Sequence, residues 1–201
     1  MKKRLWILLF CLTPVLAIFL NTGCSETPAA PAPTPTYTPT LTCSGASGQF
    51  GLTTTDGVNS TQSSTNMATQ FTMASNGAVT AIAAGICGSS GPTTAYFGIY
   101  SDASGGPGTL MGPAASQVIS SCPGGPFSPV TVTLSTPLVL YAGTYWVAVG
   151  SPGELFYSVT ASTGTNVQPT NPGAGALPST YPSANFSYCC QPQLYGFWAC
   201  P

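Results

Sequence analysis

From residue 24 to its end this chain carries no lysine, arginine or histidine, while glycine and proline recur throughout. A soluble helix needs long straight-chain polar residues along its solvent face, and Gly and Pro cost roughly 1 and 3 kcal/mol within a helix. Thr, Val, Tyr and Phe, all abundant here, prefer strands instead. The chain is therefore expected to be all-β. Its solubility has to come from Ser, Thr, Asn, Gln and Gly rather than from charge.

The charge distribution also excludes partners. Lys2, Lys3 and Arg4 are the only cations, and Glu26, Asp56, Asp102 and Glu154 are the only acids. Nucleic acid is not expected as a partner, because phosphate recognition needs clustered cations. Electrostatic docking on anionic lipid fails for the same reason. Without histidine the commonest general base and the commonest metal ligand are missing. No cofactor and no metal are expected. A nearly neutral surface repels itself weakly and permits self-association.

The three cations precede an apolar run over residues 5–20, which ends in Asn21-Thr22-Gly23-Cys24. A basic tip, a short apolar run and a small-residue exit form a secretory signal. The run is shorter than the roughly 20 residues of a spanning helix. Cys24 directly after Gly23 resembles the signal of a bacterial lipoprotein, in which that Cys is lipidated and becomes the new N-terminus. Asn21 departs from the aliphatic residue usual at that place, with Leu20 one step early. The alternative is plain secretion. The expected organisation is a signal peptide at 1–23, a lipid-anchored Pro/Thr-rich tether at 24–42 and a β-sandwich domain at 43–201. Pro28, Pro31, Pro33, Pro35 and Pro39 favour polyproline II in the tether. At ~3.1 Å per residue it could hold a domain roughly 50 Å from a membrane; simple disorder would space it too.

Alternating apolar and polar residues mark strands. Met67, Phe71 and Met73 alternate with Ala68, Gln70 and Thr72. Residues 79–87 are apolar on both faces. Over residues 94–101, Phe97 and Ile99 share one face and Tyr96 and Tyr100 the other. Val130, Val132 and Leu134 alternate with Thr131 and Thr133. Further strands are expected at 138–141, 143–149, 155–160, 186–190 and 194–199, with Gly/Pro/Ser/Asn clusters between them. Many short strands at this spacing point to a sandwich or barrel. Two packed antiparallel sheets would bury one face of each strand.

Four segments together resemble a bacterial surface β-sandwich of the choice-of-anchor type. They are Ala68-Thr69-Gln70-Phe71-Thr72-Met73, Val79-Thr80-Ala81-Ile82, Gly98-Ile99-Tyr100-Ser101-Asp102 with its Gly-rich continuation to Leu110, and Ala142-Gly143-Thr144-Tyr145-Trp146-Val147-Ala148-Val149. The likeness covers about residues 50–150, and the third and fourth segments are the specific ones. It implies a jelly-roll-like, secreted or anchored, non-enzymatic module. The Cys-rich end from residue 181 onward departs from that pattern.

Beyond the signal, Cys43, Cys87, Cys122, Cys189, Cys190 and Cys200 form an even set, which in an exported protein implies disulfides. A zinc site is the rival, but no Cys-x-x-Cys spacing occurs. Cys87 and Cys122 bracket one strand and its Gly-rich loop and are expected to pair. Cys43 is expected to bridge to the Cys189–Cys200 region, with the adjacent Cys189 and Cys190 bonding to different partners because they point to opposite faces of a strand.

Little catalytic chemistry fits. A serine nucleophile lacks a basic partner, and paired cysteines supply no thiolate. Two acids among Asp56, Asp102 and Glu154 could in principle cleave a glycoside. Asp102, just before Gly105, Gly106 and Gly108, reads either as a turn cap or as a calcium ligand. Tyr181, Tyr188, Tyr195 and Trp198 crowd the Cys-rich end beside Phe186 and Phe197. Exposed, they could stack on sugar rings; buried, they fill a core. The expectation is a non-enzymatic module on the bacterial outer membrane or cell surface, held by lipid on Cys24, for adhesion, recognition or surface architecture. Its partners would be the membrane, through the anchor, and surface glycans or other surface proteins. The alternatives are a carbohydrate-binding module, a glycoside hydrolase using Asp102 and Glu154, and a surface-filament subunit.

Overall fold

The computed structural model describes residues 43, 47–55, 58–62, 66–122, 127–161, 165–169, 175–182, 184–187 and 190–200. All of them belong to the compact unit Pro39–Pro201. Among the described residues there is no helix, and every strand pair is antiparallel. The all-β expectation is met, and two facing sheets form a sandwich.

The first sheet has four strands: β1 (Ser47–Leu52), β15 (Leu194–Ala199), β4 (Gly77–Ala84) and β9 (Val130–Leu140), in that order. The second has seven. Its main path is β13 (Ala184–Ser187), β12 (Asn166–Pro169), β3 (Met67–Met73), β10 (Gly143–Gly150), β6 (Thr93–Asp102) and β7 (Pro107–Leu110). Strand β8 (Ala115–Ile119) joins the same side of β6 as β7, further along it. A third small sheet is built on β11 (Leu155–Thr160), with β2 (Val58–Gln62) on one side and both β5 (Ile86–Gly88) and β14 (Gln191–Pro192) on the other.

Period-two alternation decides which residues meet between the sheets. Phe97, Ile99, Val147, Val149, Met67 and Met73 point inward from the seven-stranded sheet, against Phe50, Val79, Ile82, Val132, Leu140 and Leu194 of the four-stranded one. Burying a large aliphatic or aromatic side chain contributes about 1.5–3 kcal/mol, so this layer dominates stability.

Two departures from regular pairing explain where the sequence pattern misleads. Against β15 the β4 ladder passes from Val79 directly to Ala81, so Thr80 is an extra residue on that side. That bulge turns Val79 and Ile82 to the same side, and the segment therefore reads as apolar on both faces. In β9, the expected strands over 130–134 and 138–141 form one strand, in which residues 134–137 bulge opposite Thr80. Pro137 is tolerated there because β9 is an edge strand, where one row of amides has no ladder partner. At Gly85 the chain passes from β4 to β5. A Cβ there would lie 3.0 Å from Ser158 Cβ and 3.1 Å from Gln193 Cβ, so glycine eases the close approach of these segments. The Gly85 amide donates to the Gln193 carbonyl at 2.9 Å.

The outer face of the seven-stranded sheet is also covered. Tyr100, Trp146, Ala68 and Ala148 form a second buried cluster under Leu177 and Tyr181. The covering segment is held by the Tyr100 hydroxyl donating to Pro178 O (2.7 Å), Leu110 N to Ser179 O (2.8 Å) and Tyr181 N to Gly108 O (2.9 Å).

Candidate functional site

Asp102 and Glu154 are the only carboxylates among the described residues; Asp56 and Glu26 lie outside them. Asp102 ends β6, where the strand gives way to a turn through Ser104 (φ 56°) and Gly105 (φ 87°). Its Oδ2 accepts from Gly105 N at 3.0 Å. Its Oδ1 accepts from Trp146 Nε1 at 2.8 Å and from Gln70 Nε2 at 3.1 Å. The cross-strand register brings these donors together: Trp146 on β10 lies opposite both Gln70 on β3 and Tyr100 on β6. Burial works to raise the Asp102 carboxyl, but the bonds from Trp146, Gly105 and Gln70 outweigh it and hold it below the usual carboxylate range. Of its two sequence readings, the turn cap is what the geometry displays. The capping bond was legible from the glycines that follow. The Trp146 and Gln70 contacts were not, because they depend on register between strands distant in sequence.

Glu154 lies elsewhere, just before β11. Its Oε2 accepts from the Ser89 hydroxyl at 2.7 Å, and its carbonyl accepts from Ser89 N at 3.0 Å. The two carboxylates thus take different partners, on the seven-stranded and the third sheet respectively. Among the described residues no three Asp, Glu, Cys or His side chains gather in a way that could hold a metal ion.

The aromatic candidates are dispersed. Tyr181 is buried (6 % exposed) on the outer face of the seven-stranded sheet. Its hydroxyl donates to Asn66 O at 2.8 Å, and its ring meets Tyr100 edge-on at 5.1 Å. Burial pushes the Tyr181 hydroxyl well above its ordinary value, and neighbouring Tyr100 and Tyr157 add to the shift. Tyr195 is also buried (8 %), but on the four-stranded sheet, where it packs edge-on against Phe197 at 5.3 Å. Trp198 is half-buried on the opposite face of β15, against the inter-sheet core. A Cβ on Gly77 would lie 2.5 Å from its Cε3, so glycine there makes room for the indole. Tyr188 lies outside the described residues, and of Phe186 only the backbone is described. These rings therefore do not form one exposed stacking platform: Tyr181 and Tyr195 are structural, and Trp198 alone of the described three keeps partial exposure.

Two expected disulfides are present. Cys87–Cys122 joins residues 35 apart, and Cys43–Cys200 joins residues 157 apart. Their Cα–Cα distances, 5.8 and 5.6 Å, fit the range of native bridges. Cys200 is thus the partner of Cys43 within the terminal region expected. Cys190 has a positive φ of 60°, and its carbonyl accepts from Asn166 Nδ2 at 3.4 Å. Cys189 and Cys24 lie outside the described residues. Disulfides of this kind belong to proteins that mature in an oxidising, extracytoplasmic compartment.

No protein-family model matches this chain, and none of the curated proteins matches its sequence. Its function has to be read from its own residues.

Proposed function

We propose that the protein is a non-enzymatic cell-surface module, an exported β-sandwich anchored through lipid on Cys24 and spaced by residues 24–42, that serves adhesion, recognition or surface architecture. The observation that carries this reading is the use made of the acids. Asp102 is committed to three donors within its own sheet, and Glu154 is bonded to Ser89. A glycosidase needs one carboxyl kept protonated and a second facing it across the scissile bond. Asp102 is held ionised, the opposite of a general acid, and Glu154 is bonded to a different part of the fold. The surface around them offers hydroxyls and amides without countercharges, which suits recognition of neutral partners. Carbohydrate binding is the second reading, and the partial exposure of Trp198 favours it.

The test compares wild type with an Asp56→Asn, Asp102→Asn, Glu154→Gln triple variant on a panel of polysaccharides, scoring retention and release of reducing ends. Retention without release is the expected result. Release by wild type that disappears in a still-folded triple variant would overturn the reading.

A further inference from the structure

The side of the sandwich carries a cavity separate from the carboxylates and from the Tyr181, Tyr195 and Trp198 rings described above. Strands β8 and β9, at the free edges of the two facing sheets, lie beside one another there. A pocket of about 260 Å³ is lined by residues of β8, β5 and the start of β9 and by residues 120–122, 127 and 128. Its floor is fixed in place. Cys87 and Cys122, both in the lining, are covalently joined. Gly88 N donates to Ser120 O at 3.0 Å, and Cys122 N donates to Gly88 O at 3.3 Å. Phe127, also in the lining, is braced by stacking on Phe156 at 6.3 Å. Val118 stands at the rim and is 69 % exposed, the most exposed large apolar side chain described. Gln117, Ser120, Ser121 and Ser128 supply the polar part of the wall, and all four are exposed.

We propose that this pocket binds a single uncharged pyranose ring, the terminal or branching residue of a neutral surface glycan. The inference rests on the recognition reading above and names its ligand class. Three properties lead to it. The lining contains no ionisable side chain, its two cysteines being bridged, and the chain beyond residue 23 contains no cation, so neither an anion nor a cation finds a countercharge. The volume lies below the roughly 300–1,000 Å³ of pockets for drug-sized ligands, which suits one ring rather than an extended molecule. The wall is mixed. A wholly apolar guest would strip water from Gln117, Ser121 and Ser128 without replacing its hydrogen bonds. A pyranose instead offers a C–H face to Phe127 and Val118 and hydroxyls to the amide and serines. The covalent and backbone ties under the pocket reduce the ordering cost of binding.

Saturation-transfer NMR on the full-length, detergent-solubilised protein tests the proposal, with methyl glucoside, methyl galactoside and N-acetylglucosamine as probes and N-acetylneuraminic acid as the charged comparator. At least one neutral sugar is expected to bind. Affinity should fall at least about tenfold in Phe127→Ala and be lost in Val118→Trp, a substitution at an exposed rim position that leaves the core intact. Trp198→Ala should bind as wild type does. Circular dichroism establishes that each variant is folded. Absence of binding by every neutral sugar overturns the proposal, as does binding that survives both pocket variants, binding lost instead in Trp198→Ala, or equal binding of the anionic sugar. None of these results touches the surface-module reading, which fails on polysaccharide turnover instead.

Discussion

Replacing Cys43 and Cys200 by alanine removes the bridge that ties the first residue of the sandwich to the end of its last strand. The two ends are already brought together by β1 pairing with β15, from Ser47↔Ala199 to Leu52↔Leu194, so the native state should change little. The unfolded state changes greatly. The bridge closes a loop with a separation of 157 residues, and the chain-entropy relation assigns such a loop about 5 kcal/mol. The second bridge, of separation 35, lies inside the first and shortens the effective loop to about 122 residues, which alters the result by only about 0.2 kcal/mol. A loss of this size rivals the whole stability of many small domains, about 5–15 kcal/mol. Wild type and variant should therefore be unfolded by urea in the same sucrose-containing buffer, which strengthens burial in both. The variant is expected to lose about 5 kcal/mol and to show a larger m-value, because its denatured chain is less compact and exposes more surface. A loss under about 2 kcal/mol with an unchanged m-value would refute the argument from the unfolded state.

Three further outcomes follow from named contacts. Asp102→Ala leaves the Trp146 indole N–H without its acceptor and should cost about 1 kcal/mol, the low end for such a loss because the carboxylate is largely exposed; because the folded carboxyl is depressed, its contribution is present above the ordinary carboxylate range and fades as pH falls through the folded value, an acid-side slope that Asp102→Asn should flatten in pH-dependent melts. Burial raises the hydroxyls of Tyr100, Tyr157 and Tyr181 above their ordinary 10.0; the unfolded chain ionises first, so stability should be intact below pH 10 and decline above it, as tyrosinate absorbance and circular dichroism can follow together. Gly51→Ala should cost about 1–3 kcal/mol by thermal denaturation, since Gly51 has a φ of 112° and an added Cβ would lie 2.4 Å from Leu194 O, whereas Gly91→Ala meets nothing within 4 Å and should stay within about 0.5 kcal/mol of wild type.

Local alternation made β3, β6, β10, β11 and β15 legible, since successive side chains of each fall on opposite faces. It also foretold that Phe97 and Ile99 face one way and Tyr96 and Tyr100 the other. Strands β1, β7 and β8 escaped because their faces are marked by Gly, Ser, Thr and Gln rather than by an apolar beat. The bulge at Thr80 was hidden for a different reason: a single extra residue shifts the apolar face and imitates a strand buried on both sides. Cysteine positions sufficed for Cys87–Cys122 and for the region that holds the partner of Cys43, because a bridge joining the two ends of a sandwich can be placed from order alone. The fate of the aromatics could not be. Tyr181 is buried by the segment around Leu177 folding over Trp146 and Tyr100, a contact between distant parts of the chain. Phe127 and Ser121 lack any periodic signal, and only the meeting of β8 with β9 brings them to one cavity.

An anchored module should be displayed at the cell surface. An antibody against the folded domain, applied to intact cells producing either wild type or Cys24→Ala, tests it most directly. Wild type should be stained on unpermeabilised cells, and Cys24→Ala should be found folded in the medium. Staining of wild type only after lysis, or equal retention of both proteins on the cell, would contradict it.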